Sequence, residues 1–277
     1  MKYIFIILIF HLMPFVIKSQ NKDSLLMIQK IEEAKIKYDQ KNIEQTEKLL
    51  NEAEKLFPKY TLIYQIRGLL YYEIGNYNQS ILDYDKAIVF STDNNKIDDI
   101  YYKRAVSYFR LQNFEKAKQD LQKTIQINTN HKEAYIIIGA IFQEQNQDKK
   151  AIEMYEKAIQ IDKNFAMAYY NLACVYDNQK KIKKALDNIN QAIVHKQKYT
   201  EAYLMRIEIY YQQKKYELAL KDIDMVLSYF PQQFQSLEWQ AMIYWKQKQK
   251  QKACESWKKA AQNGSIDAEN HIKKNCN

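Results

Sequence analysis

Glycine occurs four times and proline three times in a chain of 277 residues. Folds made of short strands and tight turns draw heavily on both, so their scarcity points to helices with brief polar connections. Histidine is confined to His11, His131, His195 and His271, and no two of them have ligand spacing, so no metal centre is expected. So few glycines leave no phosphate-cradling loop, and no serine or cysteine stands in a nucleophile-elbow context. No catalytic residue and no cofactor site are assigned, and the chain reads as a non-enzyme. Aromatic residues are what it has in plenty, with 23 Tyr, 11 Phe and 3 Trp. That content, with 47% hydrophobic and 27% charged residues, excludes a disordered chain.

Residues 1–19, MKYIFIILIFHLMPFVIKS, differ from the remainder. Lys2 is followed by an apolar stretch from Ile4 to Ile17, which is short of the roughly 20 residues that a spanning helix needs. The segment reads as a signal peptide with Ser19 at the cleavage point, an uncleaved anchor being the alternative. An exported location, secreted or periplasmic, is therefore expected. Loss of Lys2 and Lys18 lowers the formal net charge from +9 to +7. A basic balance suits nucleic acid or acidic surfaces, but an exported protein rarely meets nucleic acid, so that partner is set aside. The lysine runs at 180–184 and 246–252 fall at turns and read as solvated tips, with peripheral membrane contact at most.

The segment AIEMYEKAIQI at 151–161 has counterparts beginning at Ala185, Ala219 and Ala253, and backward at Ala117, Ser80 and Thr46. These seven copies stand 34 residues apart, with one step of 37. Before four of the copies runs a full second pattern, an aromatic, a small residue four later and an aromatic three beyond that, while the first repeat departs from it with Lys30 and Lys37 in the aromatic places. Tyr64, Gly68 and Tyr71 are one such set, and Tyr135, Gly139 and Phe142 another. Spacings of three, four and seven mark one helical face, so each repeat is two amphipathic helices joined by a short turn. Small residues then mark places where helix axes approach to about 8–10 Å. Ala151 is expected to face the first helix of its own repeat, and Ala158 and Gly139 to sit between successive repeats. Carboxylates recur on the second helices at Asp83, Asp85, Glu153 and Glu156; Asp83 and Glu153 have lysines three or four away, and all four read as a solvated face.

This pattern resembles the tetratricopeptide repeat (TPR) family over residues 27–267. The resemblance implies an all-α fold, a right-handed superhelix (α-solenoid) of about seven helix-turn-helix repeats closed by a C-terminal capping helix. The expected layout is a signal peptide over 1–19 and a lead-in over 20–26. Repeats then span 27–60, 61–97, 98–131, 132–165, 166–199, 200–233 and 234–264, and the cap spans 265–277. Cys254 lies ten residues before Gly264 and Cys276 twelve after it. Helices folded back about Gly264 would bring the two side by side, favouring a disulfide in an oxidising compartment over two free thiols.

In this family the first helices line a concave side that grips an extended peptide or a partner helix. The resemblance therefore implies groove candidates at Ile66, Leu69, Tyr72, Tyr102, Phe109 and Ile137. Further along it implies Tyr170, Asn171, Asp177, Met205, Glu208 and Tyr211, and finally Trp239, Met242 and Trp245. Several of these places are polar in the family and apolar here, which suits apolar side chains of a ligand. The family's clamp for chaperone tails needs lysine and asparagine at the fifth and ninth places of one repeat. The pairs here, such as Gln65 with Leu69 and Leu204 with Glu208, do not match it. The function expected is a non-catalytic scaffold for a protein or extended peptide. The alternatives are a carbohydrate- or envelope-binding module, or an accessory chain of an enzyme or transport complex.

Overall fold

The computed structural model of the chain describes residues 22–92 and 97–276. The signal-peptide expectation and part of the long loop after Ser91 lie outside these residues. The described residues are helical throughout, with fifteen helices in strict succession. They run α1 Lys22–Asp39, α2 Ile43–Leu56, α3 Thr61–Glu73, α4 Tyr77–Phe90 and α5 Ile97–Arg110. Next come α6 Phe114–Ile127, α7 Lys132–Glu144, α8 Asp148–Ile161, α9 Ala166–Asn178 and α10 Ile182–His195. Last are α11 Thr200–Gln212, α12 Tyr216–Tyr229, α13 Phe234–Lys246, α14 Lys250–Gln262 and α15 Ile266–Asn275. Most of the segment expected as a lead-in is thus the first turns of α1.

The chain divides into two compact parts, one ending at Ile137 and one beginning at Ile138. In the first part α1 packs on α2, α3 on α4 and α5 on α6, and the second helices α2 and α4 meet α3 and α5 of the next repeats. In the second part α9 packs on α10, α11 on α12 and α13 on α14, and α15 lies on α14.

The hairpin register is sixteen residues. A Cβ added to Gly139 would stand 2.4 Å from the Tyr155 ring, and one added to Gly68 would stand 2.9 Å from the Tyr84 ring. Both rings belong to the second helix of the same repeat. Gly139 was expected between repeats, and the structure places it inside its own repeat, beneath Tyr155. A missing side chain fits either seam, and only the ring opposite decides between them. Where the small residue is alanine, as at Ala105, Ala173 and Ala241, the residue sixteen further on is Leu121, Ile189 or Trp257, and all are buried.

One residue earlier the same register carries charge. Arg67 reaches Asp83 through Nε at 2.8 Å and Nη2 at 2.7 Å, with both side chains buried. Arg104 pairs with Asp120 and Arg206 with Asp222 in the same two-pronged way. Asp83 therefore does not belong to a solvated face: its partner lies on another helix, beyond a search for lysines three or four away. Arg67 also holds Asn51 and Glu54, which ties its hairpin to the preceding repeat. Burial works against the Arg67 charge, but Asp83 and Glu54 outweigh it and push its pKa up. At Glu54 burial acts to raise the carboxyl, while the Arg67 and Lys86 contacts overcome it and hold the group below its ordinary value.

Six of the seven hairpin turns lack the glycine that their backbone favours. Lys41, Gln112, Asn146, Lys180, Lys214 and Lys248 all have φ near +60°, and Gly75 takes the same place in the second repeat. At each turn the left-handed residue bonds back three residues and its successor five, as Gln112 N–H does to Phe109 and Asn113 N–H to Tyr108. This is the Schellman ending, which favours glycine because L side chains are strained there. The successor also caps the second helix. Asn42, Asn76 and Asn113 accept from the third residue beyond, whereas Lys181 and Lys215 offer no side-chain cap.

Two outcomes follow for stability. Lys214→Gly and Lys215→Asn should each stabilise the protein by about 0.5–1 kcal/mol in urea unfolding, by relieving the left-handed strain and by supplying the missing cap. Asp83→Ala removes the two-pronged buried partner of Arg67 and should cost about 3 kcal/mol. Glu54 has a lowered folded pKa, so its contribution is present above the ordinary glutamate value of about 4.3 and fades as pH falls through the folded value. The stability difference between wild type and Glu54→Gln should therefore shrink in titrations below about pH 4.

Candidate functional site

Odd-numbered helices touch one another as well as their hairpin partners. In the first part α1 meets α3 and α3 meets α5, and in the second α11 meets α13. The face that they form in each part is termed its inner side. Their pitch is set at the turns between repeats, where Tyr135 and Tyr169 donate hydroxyls to the Thr129 and Lys163 carbonyls six residues back. Tyr64 does the same to the Pro58 carbonyl. These tyrosines open the repeating face and close the loop that precedes it.

In the first part Ile66, Leu69, Tyr72, Tyr102, Phe109 and Ile137 are all half-buried. Ile66 packs on the core formed by α1, α2 and α3. Tyr72 accepts a hydrogen bond from Arg110 Nε at 3.0 Å, linking α3 to α5, and its ring lies 5.5 Å from Tyr77. Tyr102 lies 4.6 Å from the His131 ring and Phe109 5.8 Å from Phe114. Burial pushes the Tyr102 hydroxyl up to about 12.

In the second part Tyr170, Asn171, Asp177, Met205 and Tyr211 are half-buried, as are Trp239 and Met242. Glu208 is exposed and accepts from Gln212 at 3.2 Å, while Trp245 keeps 39% of its surface in solvent. Tyr170 packs against Tyr199 at 5.2 Å, and its hydroxyl is pushed up by burial and then by Cys174. Tyr211 meets Trp239 edge-on at 5.2 Å, which joins α11 to α13.

After the last hairpin α15 packs on α14. Cys254 and Cys276 are disulfide-bonded, with Cα atoms 5.7 Å apart, and this fixes the end of α15 to α14. Gly264, with φ +96°, makes the sharp reversal between the two helices, and Ser265 caps α15 by accepting from the Ala268 N–H at 3.0 Å. His271 stacks flat on Trp257, 4.7 Å away and 3° from parallel. Trp245 leans on the same indole at 5.6 Å.

A cavity of about 300 Å³ opens at this corner. The candidates Tyr211, Met242 and Trp245 come together here, with Trp257 and His271 completing the aromatic lining. Lys246, from the end of α13, and Lys274 and Asn275, from α15, form the rest. The Trp257 indole N–H is buried and has no hydrogen-bond partner. The remaining candidates lie elsewhere on the inner sides. Sequence reasoning missed Trp257, His271 and Lys274. Trp257 occupies the place of Tyr84 and Tyr155, where an outsized ring was the signal available. His271 and Lys274 lie beyond the last repeat, where the 34-residue period gives no register.

The lysine runs are only partly the free tips they were expected to be. Lys184 and Lys252 lie over the Tyr176 and Tyr244 rings at 5.2 and 5.5 Å, as Lys116 and Lys150 do over Tyr108 and Phe142. Each stands eight residues after its ring, across the hairpin turn, and so covers the later aromatic of its own repeat.

Sequence models of the tetratricopeptide repeat match residues 62–89 and 98–131, and a TPR repeat model matches 139–180. The chain contains tetratricopeptide repeats. No curated protein matches it at a significant level in sequence. Among solved structures, a TPR protein from Parabacteroides merdae is 20% identical with a TM-score of 0.65, covering 91% of this chain and 100% of its own. PilF of Pseudomonas aeruginosa is 17% identical with a TM-score of 0.62, covering 77% and 97% respectively. The C-terminal part of a TPR repeat-containing protein from Cytophaga hutchinsonii is 19% identical with a TM-score of 0.57, covering 87% and 99%. At these identities the likeness is one of fold: the same all-helical TPR architecture.

Proposed function

We propose that this TPR protein is an exported, non-catalytic scaffold that binds a protein or an extended peptide along its odd-numbered helices. The observation that carries the reading is the row Tyr211, Trp239, Met242 and Trp245, apolar and only half withdrawn from solvent on the inner side of the second part. Side chains needed only for packing are normally driven to full burial, as Ile207, Ile209 and Ile243 are on the same helices. A contiguous apolar surface left open is the usual mark of a contact site, and its aromatic content suits binding hot spots. Export is supported by the composition of residues 1–19, and by a cysteine pairing that persists in oxidising compartments. The scaffold reading is supported by the tetratricopeptide repeats that the sequence models match.

Selection of random dodecapeptides on the purified protein tests this. Enrichment of sequences with aromatic or large aliphatic residues is expected, and Trp239→Ala should weaken the selected peptides about tenfold or more, the usual cost of losing a central aromatic anchor. Selection that enriches nothing, or retention of oligosaccharides but no peptide, would overturn the proposal.

A further inference from the structure

The corner cavity between α11, α13, α14 and α15 is charged on one side. Its lining holds two lysines and no carboxylate. Lys246 and Lys274 form no ion pair with a carboxylate among the described residues, whereas several other lysines do, among them Lys30 with Glu52 and Lys103 with Asp99. The same lining carries the aromatic rings of Tyr211, Trp245 and Trp257 together with Met242. About 300 Å³ is at the lower end of the range for ligand pockets and suits one large side chain with a small polar group.

Position adds to chemistry. The proposed groove runs along the odd-numbered helices to α13, and His271, Lys274 and Asn275 of α15 line the corner beside its last turn, with α15 held to α14 by the Cys254–Cys276 bond. A peptide lying along α11 and α13 reaches this corner at the last repeat. Two ammonium groups without a carboxylate partner among the described residues favour an end that carries negative charge there.

We propose that this cavity binds the C-terminal residue of a partner peptide. A bulky apolar last side chain rests on Trp245 and Tyr211, and the free terminal carboxylate accepts hydrogen bonds from Lys246 and Lys274. The inference rests on the peptide-binding reading above and assigns the chain end that the groove receives. It places the charge-reading groups on the last turn of α13 and on α15, away from the fifth and ninth places of successive repeats, where this sequence has no clamp.

Fluorescence anisotropy with three labelled probes tests it: Gly-Ser-Gly-Ser-Phe with a free carboxylate, the same peptide amidated, and Gly-Ser-Gly-Ser-Phe-Asp amidated. The free acid should bind about tenfold more tightly than the amide, the scale of a charge-assisted contact at a partly solvated site. Lys246→Glu with Lys274→Glu should abolish that preference while far-UV circular dichroism and the melting temperature stay unchanged. Trp245→Ala should weaken acid and amide alike. An amide that binds as well as the acid, or a preference that survives both charge reversals, would overturn the proposal, as would absence of saturable binding of the acid. An Asp-amide peptide that matches the free acid would overturn the assignment of a chain end. All of these results leave the broader reading standing if dodecapeptides are enriched by the protein, and only a selection that enriches nothing removes both.

Discussion

A ring seated over a missing side chain sets the spacing of the hairpins. Tyr155 closes on Gly139 and Tyr84 on Gly68, so that even one added methyl group would intrude on the ring. The register of sixteen residues that this contact fixes is reused throughout. It pairs Arg67, Arg104 and Arg206 with Asp83, Asp120 and Asp222, and it sets Ser256 against Gln240 at 2.8 Å. It also aims back at the preceding repeat, where Arg67 meets Asn51 and Arg206 meets Asn190. A sliding hairpin would break the buried ion pairs and strand their charges, so apolar fit and charge pairing specify the same register. Net stability need not come from the ion pairs themselves, because desolvation offsets much of their attraction. Their role in this account is to penalise wrong registers.

The same register leaves some side chains open to solvent. The sixth, ninth and twelfth places of the odd-numbered helices stop short of full burial, as Met205, Trp239, Met242 and Trp245 do. At the last repeat the ring opposite the gap is Trp257, in the place that Tyr155 takes earlier, and His271 of α15 stacks on it. The corner cavity is therefore lined in part by a ring at a standard position of the repeat. Cys254–Cys276 keeps α15 there.

The helices and their pairing were legible in the sequence because the small residues and aromatics recur at 34 and at helical spacings of three, four and seven. What was not legible shares one physical character: it depends on which element stands opposite. Gly139 offers the same gap to a neighbour in its own repeat or in the next, and only Tyr155 decides. Asp83 has Lys86 three residues on, which looks like a surface pair, yet its charge is met by Arg67 on α3. Lys246 belongs to a lysine run that reads as a solvated tip, and its first member lines a cavity while its last, Lys252, covers Tyr244. The groove candidates lie on odd-numbered helices, but that Tyr211, Met242 and Trp245 gather at one corner depended on α15, which lies outside the repeating pattern.

The central claim is that the contact between Tyr155 and the empty site at Gly139 fixes the approach of the helices. A double-mutant cycle in urea unfolding measures it directly, using Gly139→Ala, Tyr155→Ala and the pair together. Beneath an intact Tyr155 ring, the alanine should destabilise by about 1–3 kcal/mol through overpacking. With the ring removed, the same substitution should be neutral or stabilise by up to about 1 kcal/mol, because alanine is the better helix former. An equal cost of Gly139→Ala in both backgrounds would contradict the account.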